Sequence, residues 1–599
     1  MILVIAEKPS VAQSIAKVIG AVSRKDGYME GNNYIVSWCV GHLVGLADAS
    51  SYDERYAKWR YSDLPIVPEE WLYEVPKDKA QQFRVLRNLM KDKRVTELVC
   101  ATDAGREGEL IFRLVYNKAG CTKPFKRLWI SSLEDSAIRD GFRHLRDSKD
   151  YDKLYEAALA RSKADWIVGI NGTRLFSTLY HKRLIVGRVQ TPTLAMLVER
   201  EGKITTFRKE KYFNVHIGQD GLTADLEKVK TEDEAKAIAA ACDKKQAVVS
   251  SLKKETKTVN PPKLYDLTTL QREANRYYGF TAQQTLDLVQ SLYEKKLLTY
   301  PRTDSQFITE DMEGTARQVI GIVCRKLPLF EGIIHEPDIG RITNNAKVTD
   351  HHAIIPTAQL EKQDIPELPQ SEQKILSLVG MRLLATTGEK HIYDETQIAI
   401  LCEGYEFKAK GKTVTQNGWK DIEQCFRASL ASKDKDEPEK VLPSVSEKAV
   451  LECVSSGVTE HFTSPPKSYT EDTLLSAMET AGNEAFDEET EKRRSNPCKH
   501  GLGTPATRAG IIEKLVKGGF IERKGKSLIP MKDGNNLVCV LPEQITSPSM
   551  TAEWENTLMQ IERGQADAGR FLDGIVEMTS SIVKAYPFLS EVEAARFDT

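Results

Sequence analysis

Leu98-Val99-Cys100-Ala101-Thr102-Asp103-Ala104-Gly105-Arg106-Glu107-Gly108-Glu109, followed by Leu110, Ile111, Leu114 and Val115, is the stretch that decides the fold. Four apolar residues in a row read as a buried strand, and the apolar positions after Glu109 recur at helical spacing, so the order is strand, acidic loop, helix. The N-terminus repeats it: Ile2 to Ala6, then Glu7-Lys8-Pro9-Ser10, then Val11, Ile15, Val18 and Ile19, closed by Gly20. Both strands end at carboxylates. In an open α/β sheet, ligands sit beyond the carboxyl ends of the strands, so Glu7, Asp103 and Glu107 are expected to converge on one edge. Residues 1–150 form one such domain in this reading.

Further along, the pattern turns helical from about 150 to 200. Between Leu159 and Gln190 the basic residues Arg161, Lys163, Arg174, Lys182, Arg183 and Arg188 face only Asp165. Residues 213 to 256 alternate apolar and polar positions (Tyr212, Val215, Ile217; then Ala247-Val248-Val249), the mark of an antiparallel sheet. Asn260-Pro261-Pro262 reads as a hinge, 265 to 296 as two helices broken at Gly279-Phe280-Thr281, and Leu297 to Tyr300 as a short strand. A second sheet-like stretch covers roughly 395 to 455 and includes the charged Ser432 to Lys440 segment, read as a solvated loop. Pro465-Pro466 marks another boundary. Near the C-terminus, a helix after Thr504-Pro505 feeds a tight basic hairpin through Lys524-Gly525-Lys526, a winged-helix-like pattern often used on DNA.

The chain has 599 residues, 84 Lys+Arg and 86 Asp+Glu, for a formal net charge of −2. With 41% hydrophobic and 28% charged residues it has the make-up of ordinary globular domains, not of a disordered tail or a membrane bundle. No early run resembles a secretory signal and none has the length of a spanning helix, so an intracellular protein is expected. Ten cysteines are scattered with no CxxC pair, which fits reduced core thiols and gives no reason to expect zinc. Near-neutral charge means that any nucleic-acid role rests on local patches.

Clustered carboxylates at strand ends are how a protein holds a hard cation such as Mg²⁺, although an isolated acidic run is as often a solvated loop. Leu298-Thr299-Tyr300-Pro301-Arg302-Thr303-Asp304-Ser305 adds a tyrosine two residues from an arginine. Tyr after a strand usually just packs. A phenol with pKa near 10 is about one-thousandth ionised at neutral pH, so using it as a nucleophile costs roughly 4 kcal/mol unless cations such as Arg302 and Lys8 stabilise the phenolate. Arg also grips phosphate bidentately, while Lys acts as a point charge or proton donor. Asp350-His351-His352-Ala353-Ile354-Ile355-Pro356-Thr357 supplies adjacent histidines that are either packed or functional, and Val186-Gly187-Arg188-Val189-Gln190-Thr191-Pro192 suits a phosphodiester track. ATP is disfavoured as the energy source. Neither Gly411-Lys412-Thr413 nor Gly525-Lys526-Ser527 has a glycine five positions earlier, where Glu406 and Phe520 stand.

Together with Ala160-Arg161 through Asp165-Trp166 to Thr173-Arg174, and Gly501-Leu502-Gly503-Thr504 through Ala506-Thr507-Arg508, these motifs make the sequence closely resemble the type IA DNA topoisomerases, in particular bacterial topoisomerase III. They run in family order from residue 1 to about 565. The resemblance implies a multidomain α/β plus α and β toroid. Its parts are a Toprim domain (1–150), a helical, winged-helix-like domain (151–212 and 480–599), a β-rich arch (213–264 and 405–479) and a domain carrying the nucleophilic tyrosine (265–404). It further implies ATP-independent, Mg²⁺-dependent single-strand cleavage through a 5′-phosphotyrosyl bond, strand passage and religation, with relaxation of negative supercoils and decatenation. Tyr300 is then the nucleophile, Arg302 the stabiliser of the scissile phosphate and Lys8 the transition-state cation or acid. Glu7, Asp103 and Glu107 hold Mg²⁺, and His351 contacts DNA near the cut. Trp59, Asp165, Trp166, Arg174, Gly187, Arg188, Val189, Gln190, Thr191 and Arg302 line the single-strand track. Partners are single-stranded DNA and supercoiled or catenated duplex, met by a monomer in the bacterial cytoplasm at the nucleoid.

Many relatives carry Asp-x-Asp-x-Glu where Gly105 takes the middle position here. A single tightly used Mg²⁺ is therefore expected, with the second weak or absent unless Glu109 substitutes. Two rivals share part of the pattern: another Toprim phosphoryl-transferase, such as a primase or nuclease, which has no use for Tyr300, and a non-catalytic single-strand-binding protein.

Overall fold

The computed structural model describes residues 1–130, 133, 135–348, 351–430, 441–481, 501–587, 589 and 595–597. Asp350, Cys498 and the Ser432 to Lys440 segment lie outside the described residues.

The first sheet has seven strands: β1 (Ile2–Ala6), β2 (Ser23–Lys25), β3 (Tyr28–Gly31), β4 (Tyr34–Trp38), β7 (Glu97–Ala101), β8 (Phe125–Arg127) and β9 (Arg146–Asp147), in the order β2-β3-β4-β1-β7-β8-β9. A small ladder of β5 (Gly45–Leu46) and β6 (Tyr73–Glu74) stands apart. β1 lies in parallel between β4 and β7, as the two apolar runs require when both faces are covered. Leu3 and Ile5 join Leu98 and Cys100 on one face, while Val4 and Ala6 join Val99 and Ala101 on the other. The helix Pro9–Ile19 starts directly after Lys8 with Pro at its first position, where no N–H is needed, and stops at Gly20 with φ 82°.

A second seven-stranded sheet is wholly antiparallel. Its members are β10 (Lys211–Gln219), β11 (Leu222–Val229), β12 (Ala247–Val259), β13 (His391–Cys402), β14 (Tyr405–Gln416), β15 (Val450–Leu451) and β16 (Ser455–Phe462), ordered β15-β12-β13-β14-β11-β10-β16. In β10 the buried alternation runs Phe213, Val215, Ile217, so Tyr212, grouped above with Val215 and Ile217, lies on the opposite face. β13 pairs along its length with both β12 and β14, which puts this strand, before the boundary expected at 405, into the sheet.

The segment between β12 and β13 has its own core, from Leu264 to Ala385, and the helix Lys420–Ala428 packs against it through Ile422 and Phe426. Leu297 to Tyr300 forms no regular strand. Leu298 makes an isolated bridge to Pro356, and Tyr265 one to Ile354. The helices Asp152–Leu179 and Gln190–Thr205 share a core with Leu474, Leu475 and most apolar residues from Leu502 to Phe597, so the helix Glu471–Thr480 joins this helical body ahead of the boundary expected at 480. The helix Pro505–Lys517 and the hairpin of β17 (Ile521–Lys524) and β18 (Ser527–Pro530) are present as anticipated. Lys524 and Lys526 stay exposed, but the hairpin's cations already have partners within the protein. Arg523 pairs with Glu471 and Glu513, and Lys526 donates to the Arg276 carbonyl at 2.9 Å, so this wing docks on the tyrosine-bearing segment.

Candidate active site

Because β1 and β7 are parallel neighbours with Ala6 opposite Ala101, their ends deliver Glu7 and Asp103 to the same edge. The Asp103 main-chain N–H donates to Glu7 Oε2 at 3.4 Å. Gly108 makes the loop possible: the helix Arg106–Lys118 runs so close to it that a Cβ at 108 would lie 2.1 Å from the Asp103 carbonyl oxygen. Thr102 Oγ1 closes the turn by donating to the Gly108 carbonyl at 2.7 Å.

Behind this loop lies Arg127, fully buried and invisible to motif reading. Its guanidinium donates to the carbonyls of Cys100 (3.0 Å), Thr102 (2.7 Å), Asp103 (2.6 Å) and Leu128 (3.1 Å). It also pairs at 3.1 Å with Glu109 Oε2, whose other oxygen pairs with Arg113 at 2.8 Å. Four carbonyl acceptors and an opposite charge are what make a buried guanidinium tolerable, although its Nε meets Glu109 as an ion pair without hydrogen-bond geometry. Glu109 is thus fully buried with both oxygens committed, and it is not placed to replace the acid missing at Gly105.

Tyr300 approaches from the other side. Thr299 N–H donates to the Ile355 carbonyl at 3.0 Å, Thr299 Oγ1 to the Ala353 carbonyl at 3.1 Å, and Thr303 Oγ1 to the His351 carbonyl at 2.8 Å. The tyrosine and histidine motifs are thereby knitted into one patch. Tyr300 Oη donates to Asp103 Oδ2 at 2.5 Å, and Lys8 Nζ donates to Tyr300 Oη at 3.4 Å. The His351 ring lies 4.3 Å from the Tyr300 ring, centroid to centroid. A recess of about 820 Å³ opens beside them, bordered by Asp103, Tyr300 and His351, with Lys17, Arg139 and Lys296 on its wall.

Burial first, then the charges of Asp103 and Glu7, push the Tyr300 phenol well above its ordinary value, and Arg302 opposes them only in part. The Tyr300 hydroxyl thus faces the Asp103 carboxylate as well as the Lys8 ammonium, and the cations that the sequence offered for the phenolate are opposed here by two acids. Arg302 itself is exposed. Burial lowers Lys8, and burial together with the Asp103 charge raises Glu7 to about 7. Two carboxylates pressed together at a buried strand edge are a donor set that a hard divalent cation suits. Glu107 stands apart from them. One of its oxygens pairs with Arg161 and the other lies 3.2 Å from His42 Nε2, so the expected three-acid nest is not assembled. Among the described residues no group of three His, Cys, Asp or Glu side chains is arranged to hold a metal ion.

The track residues fall into separate environments. Arg188 is buried, with Nε 2.7 Å from Asp165 Oδ1 and Nη1 3.0 Å from Glu555 Oε1, its guanidinium over Trp554. Arg174 donates to the Tyr56 carbonyl at 2.7 Å and lies over the exposed ring of Trp59. Trp166 is fastened by its indole N–H to the Ala47 carbonyl at 2.9 Å and packs edge-on against Trp71 and Tyr52. Tyr180 is buried, its ring edge-on to Phe597. Gly187 N–H donates to Thr191 Oγ1 at 3.1 Å, while Gln190 is buried and Val189 packs on the helical core. The basic excess is largely neutralised by distant acids: Arg161 by Glu107, Arg174 by Asp48, Lys182 by Asp533.

Family models for a DNA topoisomerase and for a Toprim domain match residues 149–573 and 2–133. DNA topoisomerase 3 of Bacillus licheniformis is 41% identical over 596 residues, covering 97% of this chain and 81% of that protein. The chain belongs to the type IA DNA topoisomerases. DNA topoisomerase 3 of Bacillus subtilis is 40% identical over 594 residues with the same coverage. Full-length topoisomerase I from Thermotoga maritima shares the topoisomerase fold with a TM-score of 0.72 at 24% identity, over 97% of this chain and 90% of that one. No helix among the described residues of this topoisomerase is long and apolar enough to cross a membrane.

Proposed function

We propose that this type IA topoisomerase cuts one DNA strand through Tyr300, in a Mg²⁺-dependent and ATP-independent cycle that relaxes negative supercoils and unlinks catenated duplexes. The observation that carries this reading is the 2.5 Å hydrogen bond from Tyr300 Oη to Asp103 Oδ2, between segments 197 positions apart. Asp103 is placed to take the phenolic proton as the oxygen attacks phosphorus. The bond from phosphorus to the 3′-oxygen breaks, and Lys8, whose ammonium is destabilised by burial, donates a proton to the departing oxygen. A 5′-phosphotyrosyl ester and a 3′-hydroxyl result, and the ester keeps the bond energy that religation needs. Arg302, exposed beside the tyrosine, grips the scissile phosphate bidentately, and neutral His351 lines the approach.

Glu7 and Asp103 would hold Mg²⁺, with Glu107 once Arg161 and His42 release it. The ion supplies positive charge against the phosphate's negative charge. The natural substrates are single-stranded regions of supercoiled or catenated DNA, met by a monomer at the bacterial nucleoid.

The test is trapping. A labelled single strand is incubated with Mg²⁺ and the reaction is stopped with denaturant. We expect label bound covalently to the peptide containing Tyr300, and Tyr300→Phe to abolish the adduct while leaving strand binding intact. Free 5′ ends without adduct would favour a nuclease instead.

A further inference from the structure

A dense charge cluster joins Glu107 to the track residues Asp165 and Arg188. Glu555, on the helix Pro548–Glu562, accepts from Arg188 Nη1 at 3.0 Å and from Arg106 Nη1 at 3.2 Å. Arg106 also reaches Glu562 at 3.0 Å, Arg188 also reaches Asp165, and Arg161 pairs with Glu107. Three guanidinium groups from three elements thus face four carboxylates. The arginines are well shielded, whereas Glu555 keeps 31% of its side-chain surface exposed. Although burial opposes it, the charges of Arg188, Arg161 and Arg106 hold Glu555 below the usual carboxylate range, so it is an anion.

A partly exposed anion that accepts one N–H from each of two guanidinium groups, one at each oxygen, has the charge and donor pattern of a bound phosphodiester. A strand following Arg188 meets these arginines already paired. We propose that Glu555 is an internal stand-in for a backbone phosphate: it keeps Arg106 and Arg188 poised while the groove is empty and yields them to the arriving strand. The inference rests on the reading of this chain as a topoisomerase whose single-strand track includes Arg188. Its consequence is that strand binding is weakened by competition, which favours release once religation is complete.

The test is the affinity of the full chain for a fluorescent single-stranded oligonucleotide over a series of salt concentrations. Glu555→Gln preserves size and removes the competing charge, so binding is expected to tighten about three- to tenfold with a steeper salt dependence. Glu553→Gln, two positions away and exposed, removes the same net charge from outside the cluster and is expected to change affinity by less than about twofold. Unchanged or weaker binding by Glu555→Gln, or equal tightening by both variants, overturns the proposal. Should Glu555→Gln fail to fold, Glu562→Gln, which removes one of the two carboxylates that hold Arg106 and leaves Arg188 untouched, is expected to tighten binding by a smaller factor, and no change there also overturns it. Wild-type protein that binds no single strand at all would instead defeat the groove reading itself.

Discussion

Asp103 has three relationships: its main-chain N–H donates to Glu7, its main-chain carbonyl accepts from Arg127, and its carboxylate accepts from the Tyr300 hydroxyl. If Asp103 accepts the phenolic proton, Asp103→Asn should slow adduct formation by at least about a hundredfold, measured in a single turnover on a labelled strand, with strand affinity unchanged or raised. His352 reports on a different property. It is buried beside the active patch, its ring 2.8 Å from the Ala353 carbonyl, and burial lowers it from 6.5 to about 4. Between those values the unfolded chain binds more protons than the folded one, so stability is full above 6.5 and falls as pH drops toward 4. Unfolding midpoints in urea at pH 7 and pH 5 should therefore differ, and by less in His352→Phe. The motif acids, Tyr300, Lys8 and His351 were legible as residues because their chemistry is local to short motifs. Glu555 and Arg127 were not: one sits in an ordinary amphipathic helix, the other at the end of a three-residue strand, and only folding gives them partners.

Apolar runs fixed the type of the elements well where both faces are buried, as in β1 and β7. They misled where a segment's partner was unknown. Leu297 to Tyr300 reads as a strand but makes a single bridge, because its neighbour at Pro356 supplies no further ladder. The C-terminal hairpin reads as a DNA-facing wing, yet its arginine and lysine satisfy acids and a carbonyl within the protein. At this scale Gly108 is the sensitive point. Gly108→Ala forces the helix Arg106–Lys118 off the Asp103 loop, and we expect a cost of about 1–3 kcal/mol. Thermal melting should register the loss, and adduct formation should fall with it because Asp103 shifts.

Across the whole molecule, the tyrosine-bearing segment is held by two unlike contacts: the active patch, and a polar joint to the helical body. In that joint Asp472 accepts from Arg272 and Arg276 at 3.0 Å each, Glu471 Oε2 accepts from the Ala282 N–H, and Arg508 donates to Thr268 Oγ1 at 2.9 Å. None of these pairs could be foreseen, since each joins residues about two hundred positions apart. Asp472→Asn should loosen docking without touching the chemistry. Hydrogen exchange in the helix Leu267–Tyr278 is expected to quicken, while cleavage of a short oligonucleotide stays within about twofold of wild type. The guanidinium of Arg127 sets the asymmetry of any movement. Three main-chain oxygens at the Asp103 turn are stapled to one buried cation, so that side of the site behaves as a stationary jaw, and whatever travels with a severed strand must travel on the jaw that bears the phenol.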